Sequence, residues 1–392
     1  MSEQTNVRTA VVLAGIPAWD MSLYHRIRFA VGDPAAWIGW CHDGEDGSHL
    51  IVRDIELDRA RRSARAASVS CPADHTPAAG LSSDRMEATA EALAEFLVDR
   101  GFEEVRVHRD LPVLFAECMR DRGIGVSCDR TLGVTDRRGK DEEEIAALSA
   151  AQAATESAIR RACELIAEAD VASDGTLRQD GDVLTSERVR ALIDGHLIEL
   201  GFSPRPAIVA GGPVGADCHD HGTGPLRTGE PVIVDVFPRD PRTLYNGDCT
   251  RTVVHGEIPG EVAAMHAAVV EAKRAAIEAT RAGVSAQSVH EAAIGIVQAH
   301  GFGVGLPEPG ERPIGRMVHG TGHGLGLDVH EAPLLDLAPS GGSPNLVVGD
   351  ALTIEPGVYD PRYGGVRVED LVIVEESGVV NVNRLPEGLS WS

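Results

Sequence analysis

Apolar side chains recur every three or four residues in four stretches of the chain, and each stretch predicts a helix that buries one face. From Glu142 the stripe is Ile145, Leu148, Thr155, Ile159, Ala162 and Ile166. A second stripe runs Val189, Leu192, Ile193, His196, Leu197 and Leu200; His196 falls inside it and reads as a core residue rather than a ligand. Glu261–Arg281 and Gln287–His300 are two more helices, the last closed by Gly301 where a left-handed cap is favoured. The first third has a different texture. Short strand-like runs, Ala36–Trp40 and His49–Val52, mix with a helical stretch over Met86–Arg100, the pattern of a small α/β domain. Residues 133–141, GVTDRRGKD, are charged and directly precede the first long helix, which divides the chain into domains at 1–138 and 139–392.

Two strand-like segments between the helices repeat each other. Residues 226–235 read LRTGEPVIVD and residues 346–355 read LVVGDALTIE. Each has Leu, then Gly and an acid, then an apolar run ending in a carboxylate, Asp235 or Glu355. A second carboxylate follows at nearly the same distance, Asp248 in one case and Glu369 in the other, and each opens a β-like run. Residues 142–392 therefore read as an internally duplicated α+β domain whose halves supply two acids each. Four carboxylates brought to one buried place are tolerable only if cations neutralise them.

Composition changes this picture little. The 392 residues exceed the usual single-domain size. With 43% hydrophobic and 24% charged residues and a mean hydropathy of −0.08, the chain has no membrane-spanning character. No secretory signal is legible, and cytoplasmic residence is the expectation. The seven cysteines are scattered and never spaced as CxxC, so reduced thiols are expected rather than disulfides or a Cys-zinc site. A net charge of −24 without a basic stripe excludes nucleic acid as a partner. The excess acidity reads mainly as a solvated surface.

Candidate chemistry is densest in VHGTGHGLGLDVHEAP, residues 318–333. His319 and His323 are four apart, as in a helical zinc pair, but Gly320, Gly322, Gly324 and Gly326 would cost a helix roughly 4 kcal/mol, so an extended or looped segment is expected. The Lys and hydroxyl residue of a phosphate-binding loop are missing. The ordered set VIVDVF, YNGDCTRTVV, HGTGHGLGLDVHE, TIEPGVY and GGVRVED resembles the metallopeptidases of the M24 type, the creatinase, prolidase and aminopeptidase P group. The resemblance implies an α+β architecture: a C-terminal, internally duplicated "pita-bread" catalytic domain preceded by a smaller creatinase-type α/β domain.

Carried over by motif, the metal ligands fall on Asp235, Asp248, His323, Glu355 and Glu369. Asp248 and Glu369 would bridge two divalent ions, Asp235 serving one and His323 and Glu355 the other. Manganese is the first expectation, with cobalt, zinc or iron as alternatives. Amide hydrolysis needs a better nucleophile than neutral water, and a water shared by two such ions has its pKa lowered from about 15.7 towards about 7. Glu355 is then the general base, His330 resembles the histidine that stabilises the tetrahedral intermediate, and His219 the one over the metals, with His221 an alternative two residues on. Arg367 would orient the carboxylates or meet substrate.

The activity implied is hydrolysis of Xaa-Pro peptide bonds, as an aminopeptidase or dipeptidase working as a homodimer on small peptides. Alternatives are a hydrolase or lyase of a small non-peptide metabolite on the same fold, or a peptide-binding module that has lost catalysis. Leu334 stands where some prolidases carry an arginine that meets the free carboxylate of a dipeptide, so a preference for tripeptides is expected unless another arginine substitutes.

Overall fold

Strand alternation builds the N-terminal part. In Thr9–Gly15 the side chains of Val12 and Ala14 enter one core while Leu13 enters another, and Ile38 and Trp37, then Ile51 and Leu50, divide the same way on neighbouring strands. A sheet with two apolar faces must be covered on both. Helix Arg85–Asp99 covers one face with Leu93, Phe96 and Leu97, joined by Phe115 and Met119 from Val113–Asp121. Leu23 and Ile27 of Met21–Ile27 cover the other. The six strands lie in the order Ser68–Ser70, Glu45–Ile51, Ala35–His42, Thr9–Gly15, Glu104–His108, Gly125–Asp129, with the last three parallel.

This is a computed structural model that describes residues 7–42, 45–308, 310, 314–338 and 342–391. The chain divides into two compact units, Met1–Arg137 and Arg138–Ser392.

The second unit is built twice over. Helices Glu142–Ala167 and Ser186–Glu199 bury Ile159, Ile166, Val189 and Ile193 against the sheet Ile208–Gly211, Pro231–Val236, Cys249–Val254. Helices Gly260–Ala279 and Ala286–Ala299 bury Met265, Val269, Val289 and Ala293 against strands that include Ala351–Ile354 and Asp370–Glu375. Asp141 and Glu144 close a capping box at the start of the first helix, and Gly301, at φ +84°, follows the end of the last. The second predicted stripe is narrower than expected. Its helix stops at Glu199, so Leu200 is 45% exposed, and His196 lies half-buried with Nε2 2.7 Å from Ser157 Oγ.

The two halves are joined where Cys249–Val254 meets the segment 366–370. The Glu369 amide donates to the Thr250 carbonyl at 3.1 Å, and Thr252 Oγ1 donates to the Arg367 carbonyl at 3.0 Å. Beneath this seam the fully buried Arg251 donates to Asp370 Oδ1 at 2.8 Å, and Lys273 Nζ pairs with the other Asp370 oxygen. Among the described residues no helix is long and apolar enough to cross a membrane.

Candidate metal centre

Strand ends carry the acids to one place. Asp235 is next to last in Pro231–Val236, Asp248 immediately precedes Cys249–Val254, Glu355 follows Ala351–Ile354, and Glu369 precedes Asp370–Glu375. Antiparallel pairing sets Asp235 opposite Thr250 and Ile354 opposite Asp370, which brings the two acids of each half together. His323 is the middle residue of the strand Gly322–Gly324, and its amide donates to Thr353 Oγ1 at 3.0 Å. The glycines on either side have a steric reason. A β-carbon at Gly322 would collide with the Thr353 carbonyl, and one at Gly324 with the Ala332 carbonyl.

Asp248 is also held from behind. Gln152, on the first helix of this unit, donates through Nε2 to the Asp248 carbonyl at 2.7 Å and accepts from its amide at 2.9 Å. Gln152 lies four residues after Leu148 and three before Thr155, a long polar side chain on a mainly apolar face, and that placement is its signal in the sequence.

One ligand atom each from Asp248, His323 and Glu369 fall within 4.8 Å of one another. The other two expected ligands flank this trio. His323 Nε2 is 3.2 Å from Glu355 Oε1, and its Nδ1 donates to the Gly324 carbonyl at 3.1 Å. Asp235 Oδ2 accepts from Arg367 Nη2 at 2.6 Å, whereas Asp235 Oδ1 is buried without a hydrogen-bond partner among the described residues.

The charges are out of balance. Burial, then repulsion from Glu369, Asp235 and Glu355, pushes the Asp248 carboxyl well above its ordinary range, and burial with the charges of Glu355 and Asp235 does the same to Glu369. Burial also raises Asp235 in spite of Arg367. Burial alone would depress the His323 imidazole, but Glu355 outweighs it and raises it. Divalent cations fit this set: they would offset the repulsion among Asp248, Glu369, Asp235 and Glu355, meet the Asp235 oxygen that has no partner among the described residues, and be held also by the imidazole of His323.

A cavity of about 550 Å³ opens over these groups, and all eight predicted site residues line it: His219, Asp235, Asp248, His323, His330, Glu355, Arg367 and Glu369. His330 meets the His323 ring edge-on, centroids 4.3 Å apart. Of the two candidate histidines, His221 also lines the cavity but donates through Nδ1 to the Ala207 carbonyl at 3.2 Å. The His219 imidazole has no hydrogen-bond partner among the described residues.

Arg367 is buried and makes four side-chain hydrogen bonds, to Asp235 Oδ2, Tyr359 OH, Thr250 Oγ1 and the Cys218 carbonyl. Three partners in this layer went unassigned in the sequence. Tyr359 OH accepts from Arg367 Nη1 at 2.8 Å and donates to His319 Nε2 at 2.7 Å, while His319 Nδ1 donates to the Gly320 carbonyl. Burial keeps the His319 imidazole below its ordinary pKa, in keeping with this neutral tautomer. Thr250 Oγ1 donates to Glu369 Oε2 at 2.7 Å.

The family profile of metallopeptidase family M24 matches residues 146–376, more than half of the chain. The chain belongs to metallopeptidase family M24. Its M24 relatives include the probable dipeptidase PepE of Mycobacterium tuberculosis, 39% identical over 259 residues that make up 64% of this chain and 60% of that protein. The Xaa-Pro dipeptidase of Pyrococcus furiosus is 29% identical over 230 residues, 58% of this chain and 60% of that protein. The chain thus spans about 60% of the length of these curated relatives.

Among solved structures, the dipeptidase PepE from Mycobacterium ulcerans matches with a TM-score of 0.71 at 26% identity, covering 98% of this chain and 92% of that one. The X-Pro aminopeptidase from Thermotoga maritima matches with a TM-score of 0.77, covering 97% of each chain; at 20% identity it speaks for the fold alone. The duplicated second unit is therefore the M24 pita-bread fold, with the smaller α/β unit before it.

Proposed function

We propose that this chain is a dinuclear, metal-dependent hydrolase of Xaa-Pro peptide bonds, an Xaa-Pro aminopeptidase or dipeptidase. The observation that carries the reading is the convergence of Asp235, Asp248, His323, Glu355 and Glu369 on one cavity that His219, His330 and Arg367 also line. Membership of M24 and relatives bearing dipeptidase and Xaa-Pro dipeptidase names support it. The reading takes residues 1–138 as a creatinase-type domain and 139–392 as the catalytic domain of a cytoplasmic homodimer.

Asp248 and Glu369 would be shared between two ions, Asp235 would serve one, and His323 and Glu355 the other, with manganese the first expectation. Such ions, when bound, supply the Lewis acidity that makes water an adequate nucleophile towards an amide. The rest falls to side chains of this chain. Glu355 takes the proton of the attacking water and returns it to the leaving nitrogen. His330 donates a hydrogen bond to the oxygen on which charge develops, and His219 contributes a second imidazole to the bound peptide. Arg367, committed to Asp235, Tyr359 and Thr250, keeps the carboxylates oriented.

The test couples metal analysis of the purified protein to a panel of Xaa-Pro dipeptides, Xaa-Pro tripeptides and Ala-Ala controls. The expected result is about two divalent ions per chain at saturation, activity abolished by chelation, and Xaa-Pro peptides cleaved in preference to controls. A fully active metal-free protein would overturn the reading. Failure to cleave any peptide would turn it towards a small non-peptide metabolite.

A further inference from the structure

Two arginines line the cavity, and they differ in one respect. Arg367 is buried and directed at protein acceptors, whereas Arg205 makes no hydrogen bond or ion pair among the described residues. Arg205 is half-buried, on the chain leading into the strand Ile208–Gly211. Ile208 is the register partner of Asp235, and Ser203 bridges Arg239, so Arg205 lies beside the Phe237–Pro238 stretch that continues directly past Asp235. Phe237 lines the same cavity. The segment is fixed rather than loose: the Ala207 carbonyl accepts from His221 Nδ1, and the Val209 amide donates to the His221 carbonyl.

The surroundings restrict what this guanidinium can meet. With the four acids neutralised by cations, the charged side chains left on the cavity wall among the described residues are Arg205, Arg367 and Asp336. Arg367 is engaged, and Asp336 faces His290 Nε2 at 3.7 Å. The remaining wall joins the imidazoles of His219, His221, His319, His323 and His330 to the apolar side chains of Ile208, Phe237, Val329 and Leu334, the last of them 60% exposed. A short peptide carries one anionic group that a planar, doubly donating cation recognises well, its terminal carboxylate.

We infer that Arg205 is a specificity-determining residue that binds the free C-terminal carboxylate of the short peptide substrate. Position 334, a leucine, offers the carboxylate of a dipeptide no partner, so the carboxylate that Arg205 meets is that of an Xaa-Pro tripeptide. The inference rests on the peptidase reading and deepens it.

The experiment compares free-acid and amidated substrates, Ala-Pro with Ala-Pro-NH2 and Ala-Pro-Ala with Ala-Pro-Ala-NH2, on the metal-loaded wild type, Arg205→Met and Arg205→Lys. In the wild type the free acid of the tripeptide pair has the lower KM. Arg205→Met raises that KM about 10- to 100-fold, the worth of a lost charge-assisted contact, and leaves the amidated peptide within about twofold in both KM and kcat. Arg205→Lys recovers part of the difference. Unchanged turnover of the amide shows that the variant is folded and its chemistry intact. Should Arg205→Met not fold, Arg205→Lys and Arg205→Gln carry the same acid-to-amide comparison. Equal KM for acid and amide in the wild type, or an equal loss on both in Arg205→Met, overturns the role of Arg205 while leaving the peptidase reading in place. No hydrolysis of any peptide by the wild type overturns both.

Discussion

Lys140 Nζ and Glu331 Oε2 lie 2.8 Å apart with side chains only 3% and 2% exposed, an ion pair sealed inside the second unit directly behind His330. Glu331 also accepts from the Asp328 amide through Oε1, and its carboxylate fills the space that a side chain at Gly326 would need. The pair therefore fixes the loop from Gly326 to His330. Removing one partner of such a pair leaves the other charge poorly compensated in a buried place and costs about 3–5 kcal/mol. Lys140→Met is expected to lower the melting temperature clearly, and Lys140→Met with Glu331→Gln to recover much of that loss, because the amide keeps an acceptor for Asp328 without a buried charge. Calorimetry of the two variants checks this; a double variant no better than the single one refutes it.

Asp248→Asn keeps the side chain's shape and removes one of four crowded carboxylates. Near-total loss of kcat and of bound metal is expected, while the metal-free protein melts no lower than wild type because a buried repulsion has gone. Metal analysis, turnover and circular dichroism on one preparation separate these effects. Wild-type turnover would remove Asp248 from the ligand set.

Gln152→Leu leaves both the amide and the carbonyl of Asp248 without their side-chain partner. Stranding two buried backbone groups costs on the order of 2–4 kcal/mol. The backbone that aims Asp248 also loses its anchor, so metal affinity should fall by roughly 10- to 100-fold, as for other groups that orient ligands. Titration of the metal-free variant with manganese measures the second effect, and unchanged affinity would make Gln152 purely structural.

Acid should weaken the N-terminal unit in a defined window. His49 bonds to Ser68 Oγ and Ser70 Oγ at 2.7 Å each and stacks on Phe96, and burial lowers its pKa from 6.5 to about 4. Between those values the unfolded chain holds a proton that the folded unit refuses. Stability from this source is complete above about pH 6.5 and declines as the pH falls towards about 4. Urea melts followed through Trp fluorescence at pH 7, 6 and 5 should show the decline, and His49→Leu should flatten it. A slope unchanged in the variant would assign the effect to other groups.

Substrate length should respond to position 334. Leu334 offers a carboxylate nothing, so kcat/KM for Ala-Pro-Ala is expected to exceed that for Ala-Pro under matched metal loading. Leu334→Arg should narrow the gap by raising the dipeptide value, through a contact worth about 1.5–3 kcal/mol. A wild-type preference for the dipeptide contradicts the expectation.

What the sequence determined was local or repeated. Helical periodicity depends on residues three and four apart, so the helices over Glu142–Ala167 and Gly260–Ala279 were legible within a few residues at their ends. The LxxG-acid repeat announced two like halves, and the carboxylate at the end of each apolar run marked Asp235 and Glu355 because a strand end is where a buried sheet opens to a site. The glycines around His323 correctly argued against a helix there, since two of them sit where only hydrogen fits.

Tertiary structure decided everything that depends on pairing across long separations. Lys140 and Glu331 are 191 residues apart, Gln152 and Asp248 are 96 apart, and no periodicity connects them. Whether Arg367 meets substrate or holds Asp235, and whether His219 or His221 keeps an uncommitted imidazole, turned on which acceptors the packed backbone placed within about 3 Å. Arg205 is the converse case. An arginine is ordinary in a sequence, and only the folded chain reveals that this one stands on the cavity wall without a hydrogen-bond or ion-pair partner among the described residues. Local propensity is a property of neighbours in the chain, whereas charge compensation is a property of neighbours in space.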